Sequence, residues 1–269
     1  MPSSPAISED LKEFAEELAK EAQDTVKSVI AEASITIKSD GSPVTSVDLA
    51  VESALRQRIE ESYPAHGILG EEFGTQNLEA DWVWVIDPID GTRQFAAGLP
   101  NYSILIALCY QYQPVIGIIC QPFLSDIYLG VAGQGTWLNG RQVQTRPFAK
   151  IEQSIVCYSD PDAFTGQSRK AFRALRPKSR WNVYDGGSLS FGTLAAGHIG
   201  VSLCAPNLDC FDICALVPVV EGAGGVISDW QGKALGLSSS GAIVASACPE
   251  LHQEVLAVIQ TALSAPPAS

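Results

Sequence analysis

The segment that most constrains this chain is Trp82-Val83-Trp84-Val85-Ile86-Asp87-Pro88-Ile89-Asp90-Gly91-Thr92. Trp82 to Ile86 reads as an apolar strand, and it runs directly into two carboxylates separated by a turn that Pro88 nucleates. Asp87 and Asp90 then face each other at close range. Two carboxylates so placed repel unless a cation or a proton sits between them.

Oxygen ligands are hard donors and favour Mg²⁺ or Mn²⁺ over zinc. The backbone carbonyl of Ile89, inside the turn, is a further candidate ligand. Gly91-Thr92 then opens a short helix through Arg93-Gln94-Phe95. Free N–H groups at a helix start bind anions, and glycine allows close approach to the backbone. Metal ligands followed by an anion nest imply metal plus phosphate. Two ions roughly 3.5–4 Å apart would activate water on one side and stabilise a leaving oxygen on the other. Two more carboxylates sit at element ends: Glu71 after the short strand Gly67-Ile68-Leu69-Gly70, and Asp212 at the start of a helix. Taken alone, Asp87 and Asp90 read as a solvated turn and Asp212 as a helix cap. Joined to Glu71 and Gly91-Thr92, they read as one site.

Around this segment the texture changes twice. Ser8 caps a long amphipathic helix to about Ala33, with Leu11, Phe14, Leu18, Ala22, Val26 and Val29 on one face. A short strand at Ile35–Lys38 and the turn Ser39-Asp40-Gly41-Ser42-Pro43 lead to a second helix, Ser46–Ser62, with Leu49, Leu55 and Ile59 on its apolar face. Antiparallel strands follow to Leu138. After about Lys150 strands alternate with helices, including one helix from Asp212 to Glu221. The reading is an α+β half over 1–148 with an antiparallel sheet, and an α/β half over 149–269 with a mostly parallel one.

Thirty acidic residues face 17 basic ones, a formal net charge of −13. That excess repels nucleic acid and anionic membranes. Neither a signal peptide nor an uninterrupted apolar span is visible. The seven cysteines, an odd number partly inside apolar runs, fit a reducing cytoplasmic setting. Cys204, Cys210 and Cys214 lack the second pair of a zinc finger. His66, His198 and His252 are scattered and read as structural or surface residues.

These motifs resemble the inositol monophosphatase superfamily of magnesium-dependent, lithium-sensitive phosphatases. Asp87-Pro88-Ile89-Asp90-Gly91-Thr92 matches its first signature and Gly70-Glu71-Glu72 its upstream glutamate motif. Lys38 through Val47-Asp48 matches the segment near the nucleophilic water, and Asp212 with Glu221-Gly222-Ala223-Gly224-Gly225 the second signature. The resemblance implies a layered α/β/α/β/α sugar-phosphatase-like fold, two or three Mg²⁺ per site, and often a homodimer. It also implies roles. Glu71, Asp87 and the Ile89 carbonyl hold the first ion; Asp87, Asp90 and Asp212 hold the second. Thr92 with Asp48 activates water, and Glu71 belongs to the same catalytic set. Asp90, Gly91, Thr92, Arg93 and Ser188 contact phosphate or substrate.

Ala215 to Trp230, Thr92-Arg93, Phe211 and His66-Gly67-Ile68 resemble the histidinol-phosphate phosphatase branch most closely. Histidinol phosphate is therefore the expected substrate and inositol 1-phosphate the alternative. Two positions depart from the family: Gly200 replaces an aspartate, and Cys204-Ala205-Pro206-Asn207 lacks a substrate-contacting glutamate. A rival of another class is a non-catalytic regulator that binds a phosphometabolite.

Overall fold

The structure is a computed structural model that describes residues 7–39, 41–148 and 150–265. Asp40, in the turn before the second helix, and the tail beyond 265 lie outside the described residues. Helix α1 (Glu9–Val29) starts where Ser8 Oγ accepts the Leu11 N–H. It buries Phe14, Leu18, Ala22 and Val26. A two-stranded hairpin, β1 (Ile35–Ile37) and β2 (Pro43–Thr45), leads into α2 (Ser46–Ser62). Buried residues on α2 include Val47, Val51, Leu55 and Ile59, whereas Leu49 is 40% exposed. The expected apolar face is thus turned, with Val47 and Val51 in place of Leu49.

Eight strands form the large sheet. They are β3 (Gly67–Gly70), β4 (Gly74–Gln76), β5 (Trp82–Asp90), β6 (Ser103–Tyr110), β7 (Gln113–Gln121), β8 (Asp126–Val131), β9 (Gly135–Leu138) and β10 (Arg141–Val143), with α3 (Thr92–Ala96) between β5 and β6. Their order is β10-β9-β8-β7-β6-β5-β3-β4. Every neighbouring pair is antiparallel except β3 with β5.

The second sheet begins with β11 (Ile155–Tyr158). It continues through α4 (Ser168–Leu175), β12 (Trp181–Tyr184), α5 (Leu189–Ala195), β13 (Val201–Leu203), α6 (Cys210–Ile213), α7 (Leu216–Gly222), β14 (Val226–Asp229), β15 (Ile243–Ser246) and α8 (Pro249–Ser264). Its order is β12-β11-β13-β15-β14. β11 runs parallel to β12 and β13, while β15 is antiparallel to β13 and β14. The sheet is therefore mixed: no crossover helix separates β14 from β15, so they pair as antiparallel neighbours. The single helix expected from Asp212 to Glu221 is two. Pro218 has no N–H to offer the Cys214 carbonyl, and the chain re-starts as α7.

Three clusters define the layers. One packs α1 and α2 on the face of the large sheet that carries Trp84, Ile86, Ile106 and Ile118. The second places α5, α6 and α7 between the opposite face, with Val83, Val85, Leu105 and Ile119, and residues Ile227, Ile243 and Ala245 of the second sheet. The third covers the far face of that sheet with α4 and α8. This is the layered α/β/α/β/α arrangement. Burial on both faces explains why β5, β6 and β7 are apolar nearly throughout rather than alternating. Among the described residues no helix is long and apolar enough to cross a membrane.

The central helical layer lies very close to the large sheet. A Cβ on Gly130 of β8 would stand 2.3 Å from the Pro218 backbone, and one on Gly117 of β7 2.1 Å from the Ala215 carbonyl oxygen. We predict that Gly130→Ala, which has an ordinary backbone conformation, destabilises the fold by about 1–3 kcal/mol through overpacking. Urea denaturation with an unchanged slope would record it.

Candidate active site

The site begins with a register error in β5. Asp87 pairs with Leu105 and Asp90 with Ser103, so three steps along β5 match two along β6. Pro88, which cannot donate to the ladder, sits in this bulge. In a regular strand Asp87 and Asp90 would point to opposite faces. The extra residue switches the parity: Ile89 joins Trp84 and Ile86 in the core under α1 and α2, and Asp90 comes round to the side of Asp87. Opposite them α6 packs against β5 and brings Asp212. One carboxylate oxygen from each of Asp87, Asp90 and Asp212 lies within 4.8 Å of the others.

Among the described residues no lysine or arginine forms an ion pair with these three aspartates. Burial, reinforced by Glu71, Asp90 and Asp212, holds the Asp87 carboxyl well above the usual carboxylate range. Burial and the neighbouring Asp90 push Asp212 up to about 8. Burial also raises Asp90, partly offset by hydrogen bonds from Ser188. An all-oxygen cluster short of positive charge suits a hard divalent cation, so these residues fit magnesium.

Glu71 follows β3, where its N–H donates to the Ile86 carbonyl at 3.1 Å and extends the parallel pairing. Its carboxylate lies on the same cleft but accepts from Lys38 Nζ at 3.3 Å, and the same ammonium reaches Glu72 at 2.6 Å. Burial raises the Glu71 pKa and Lys38 opposes the shift. Glu71 is thus beside the aspartate trio rather than within it. The Ile89 carbonyl accepts the Thr92 hydroxyl at 3.0 Å, and its second lone pair is the ligand that the turn would offer.

Thr92 Oγ1 also stands 3.4 Å from Asp48 Oδ1. Asp48 is fully buried near the start of α2. Its other oxygen accepts the Thr45 N–H at 2.9 Å and the Thr45 hydroxyl. Burial raises its pKa, against those hydrogen bonds. Gly91 has φ +92°, and this left-handed residue turns β5 into α3. Arg93 is exposed and lines the cleft. Ser188, expected to contact phosphate or substrate, commits both its N–H (3.0 Å) and its hydroxyl to Asp90 Oδ2.

The cleft has a volume of about 590 Å³ and joins both halves of the chain. Several of its parts escaped the sequence reading. Ser103 supports Ser188 through a hydroxyl–hydroxyl contact. Asp160 and Asp185 line the outer wall. Asp185 accepts from Gln94 Nε2 at 2.8–2.9 Å, and its carbonyl accepts from Asn101 Nδ2 at 3.2 Å. A signal existed for Asp185, which precedes Gly186-Gly187 at the end of a strand. The cysteines offer no competing centre. All seven are free, and the aspartate trio is the one such ligand group found among the described residues.

The raised carboxyls set the pH behaviour. Their folded pKa values exceed the unfolded ones, so the folded state binds more protons and stability falls as pH rises, for Asp212 from about 4 through about 8. A bound cation replaces those protons. We predict that Mg²⁺ binding at pH 7 releases protons and that the release fades by about pH 9. Calorimetry in two buffers of different ionisation enthalpy measures it, and Asp212→Asn should reduce it.

Comparison with known proteins agrees with this geometry. The sequence profile of the Inositol monophosphatase family matches residues 8–264. The chain is 38% identical over 231 residues to the bifunctional phosphatase IMPL2, chloroplastic, of Arabidopsis thaliana, covering 82% of this chain and 66% of that protein. It is 31% identical over 210 residues to a histidinol-phosphatase of Chlorobaculum parvum, covering 78% of this chain and 81% of that one. An inositol monophosphatase structure from Zymomonas mobilis superposes with a TM-score of 0.85 at 34% identity, covering 95% of this chain and 100% of that one. With layers, carboxylate cluster and sequence in agreement, the chain belongs to the inositol monophosphatase family and is a phosphatase of that family.

Proposed function

We propose that the protein hydrolyses the phosphate monoester of a small cationic alcohol, histidinol phosphate being the substrate that fits best. The observation that carries this reading is the charge of the cleft. Asp160 and Asp185 add two more carboxylates to the cleft wall, just beyond the ends of the parallel neighbours β11 and β12. Ligands of parallel sheets bind at such strand ends. A substrate with an ammonium group and an imidazole gains from these carboxylates, whereas inositol is neutral and gains little. The resemblance of residues 215–230 to the histidinol-phosphate phosphatase branch supports the same choice, as does the similarity to the histidinol-phosphatase of Chlorobaculum parvum. The wall that lacks the expected glutamate is lined by Cys204, Asn207 and Leu208.

We read Asp87, Asp90 and Asp212, with Glu71 and the Ile89 carbonyl, as the residues that would hold Mg²⁺, with Mn²⁺ as a substitute. When bound, the metal would supply a water of lowered pKa and neutralise charge on the leaving oxygen. The chain's own residues do the rest. The Thr92 hydroxyl takes a hydrogen bond from the attacking water and passes its own proton toward Asp48 Oδ1. Asp48 is a stronger base than a solvated aspartate because it is buried. The backbone at Gly91 and Thr92 holds the phosphoryl oxygens, and Arg93 stands at the cleft mouth. Water oxygen bonds to phosphorus, the ester P–O bond breaks, the departing alkoxide takes a proton from solvent, Asp48 returns its proton to solvent, and the products are the alcohol and inorganic phosphate. The parts divide between 1–148, with most ligands, and 149–269, with Asp212 and the outer wall. Lithium sensitivity and a homodimer belong to this reading on the family resemblance alone.

Three experiments test it. Thr92→Val keeps the shape and removes the hydroxyl; kcat should fall about 10²–10⁴-fold with KM little changed. Phosphate release should favour histidinol phosphate over inositol 1-phosphate. Asp185→Asn should raise KM for the cationic ester about 5- to 10-fold and leave KM for inositol 1-phosphate unchanged. Equal KM values across the two esters and both proteins would reject the cationic-substrate reading.

A further inference from the structure

Glu52 of α2 is fully buried and lies one helical turn beyond Asp48. A buried carboxylate is tolerated only when its lone pairs are matched. Here they are. Glu52 Oε1 accepts from Arg56 Nε at 2.8 Å and from the Phe73 N–H at 3.0 Å, and Oε2 accepts from the Glu72 N–H at 2.8 Å. Arg56 continues outward to the Gly74 carbonyl. The two N–H groups belong to the turn between β3 and β4, the turn that presents Glu71. Gly70, the last residue of β3, is what lets the carboxylate reach them. A Cβ there would stand 1.9 Å from Glu52 Oε1 and 2.4 Å from its Cδ.

We propose that Glu52 is a positioning residue for the metal centre: it fixes the Glu72 and Phe73 amides, and through them the carboxylate of Glu71. The inner face of α2 therefore carries Asp48, Glu52 and Arg56 at successive turns. Asp48 addresses Thr92 and Glu52 addresses the Glu71 turn, so one helix sets the spacing between the water-activating pair and a metal ligand. The charge of Glu52 matters as well as its shape. A glutamine has one acceptor oxygen and would turn its NH₂ toward a backbone N–H, donor against donor. The proposal rests on reading Glu71 as a ligand.

The test compares Glu52→Gln, Glu71→Gln and, as a stability control, Ser228→Ala. Ser228 is buried and bonded to His252 in the second half, away from the cleft. Three quantities are read on metal-free protein: Mg²⁺ affinity by calorimetry, thermal midpoint, and hydrogen exchange at the Glu72 and Phe73 amides. Glu52→Gln should weaken Mg²⁺ binding about 10- to 100-fold, as loss of a supporting partner does, and speed exchange at those two amides. At saturating Mg²⁺ kcat should recover while substrate KM stays put. Ser228→Ala should lower the midpoint without moving Mg²⁺ affinity. If Glu71→Gln weakens binding and Glu52→Gln does not, the ligand reading stands and the positioning role is overturned. If neither weakens it, the ligand reading of Glu71 fails and takes the proposal with it.

Discussion

Mutual repulsion among Asp87, Asp90 and Asp212 is the constraint around which this protein is built. Carboxylates crowded together without a counter-charge oppose folding, and here three of them, Asp87 buried and the other two half-buried, close on one point. The rest of the structure makes that tolerable. Apolar strands and helices on both sides supply the burial energy, and Ser188 donates twice to Asp90. A divalent cation bound there would turn the liability into affinity. The same crowding that raises the carboxyl pKa values makes the cluster a strong ligand once its protons are displaced.

Geometry reaches that point through small local devices. The bulge at Pro88 changes which face Asp90 occupies, and without it the two aspartates would be separated by the sheet. The close approach of α7 over Gly117 and Gly130 sets how near the second half comes to the first. The break before Pro218 lets α6 bend away, so that Asp212 stands over β5.

Much of this was legible in the sequence, for identifiable reasons. An apolar strand ending in Asp-Pro-Ile-Asp-Gly-Thr is a local signal, and each of its carboxylates lies where the spacing placed it. The other family motifs, in family order, carried Glu71, Asp48 and Asp212 with it. What stayed hidden depends on contacts across long sequence distances. Ser188 was expected at phosphate or substrate, but its partner is Asp90, 98 residues away. Nothing local marks Glu52, because its face is covered by the 71–74 turn some twenty residues on. Leu49 was assigned to the buried side from a period that Val47 and Val51 fit better. The mixed pairing of β13, β15 and β14 follows from topology, to which periodicity is blind.

The ends of β11 and β12 supply the outer wall but none of the aspartate trio. On the proposed reading, chemistry and recognition are carried by different stretches of chain. A lineage could exchange residues at those strand ends, losing one alcohol and gaining another, while every carboxylate of the trio stayed in place. Substrate range can drift under such an arrangement, and the reaction itself is insulated from the drift.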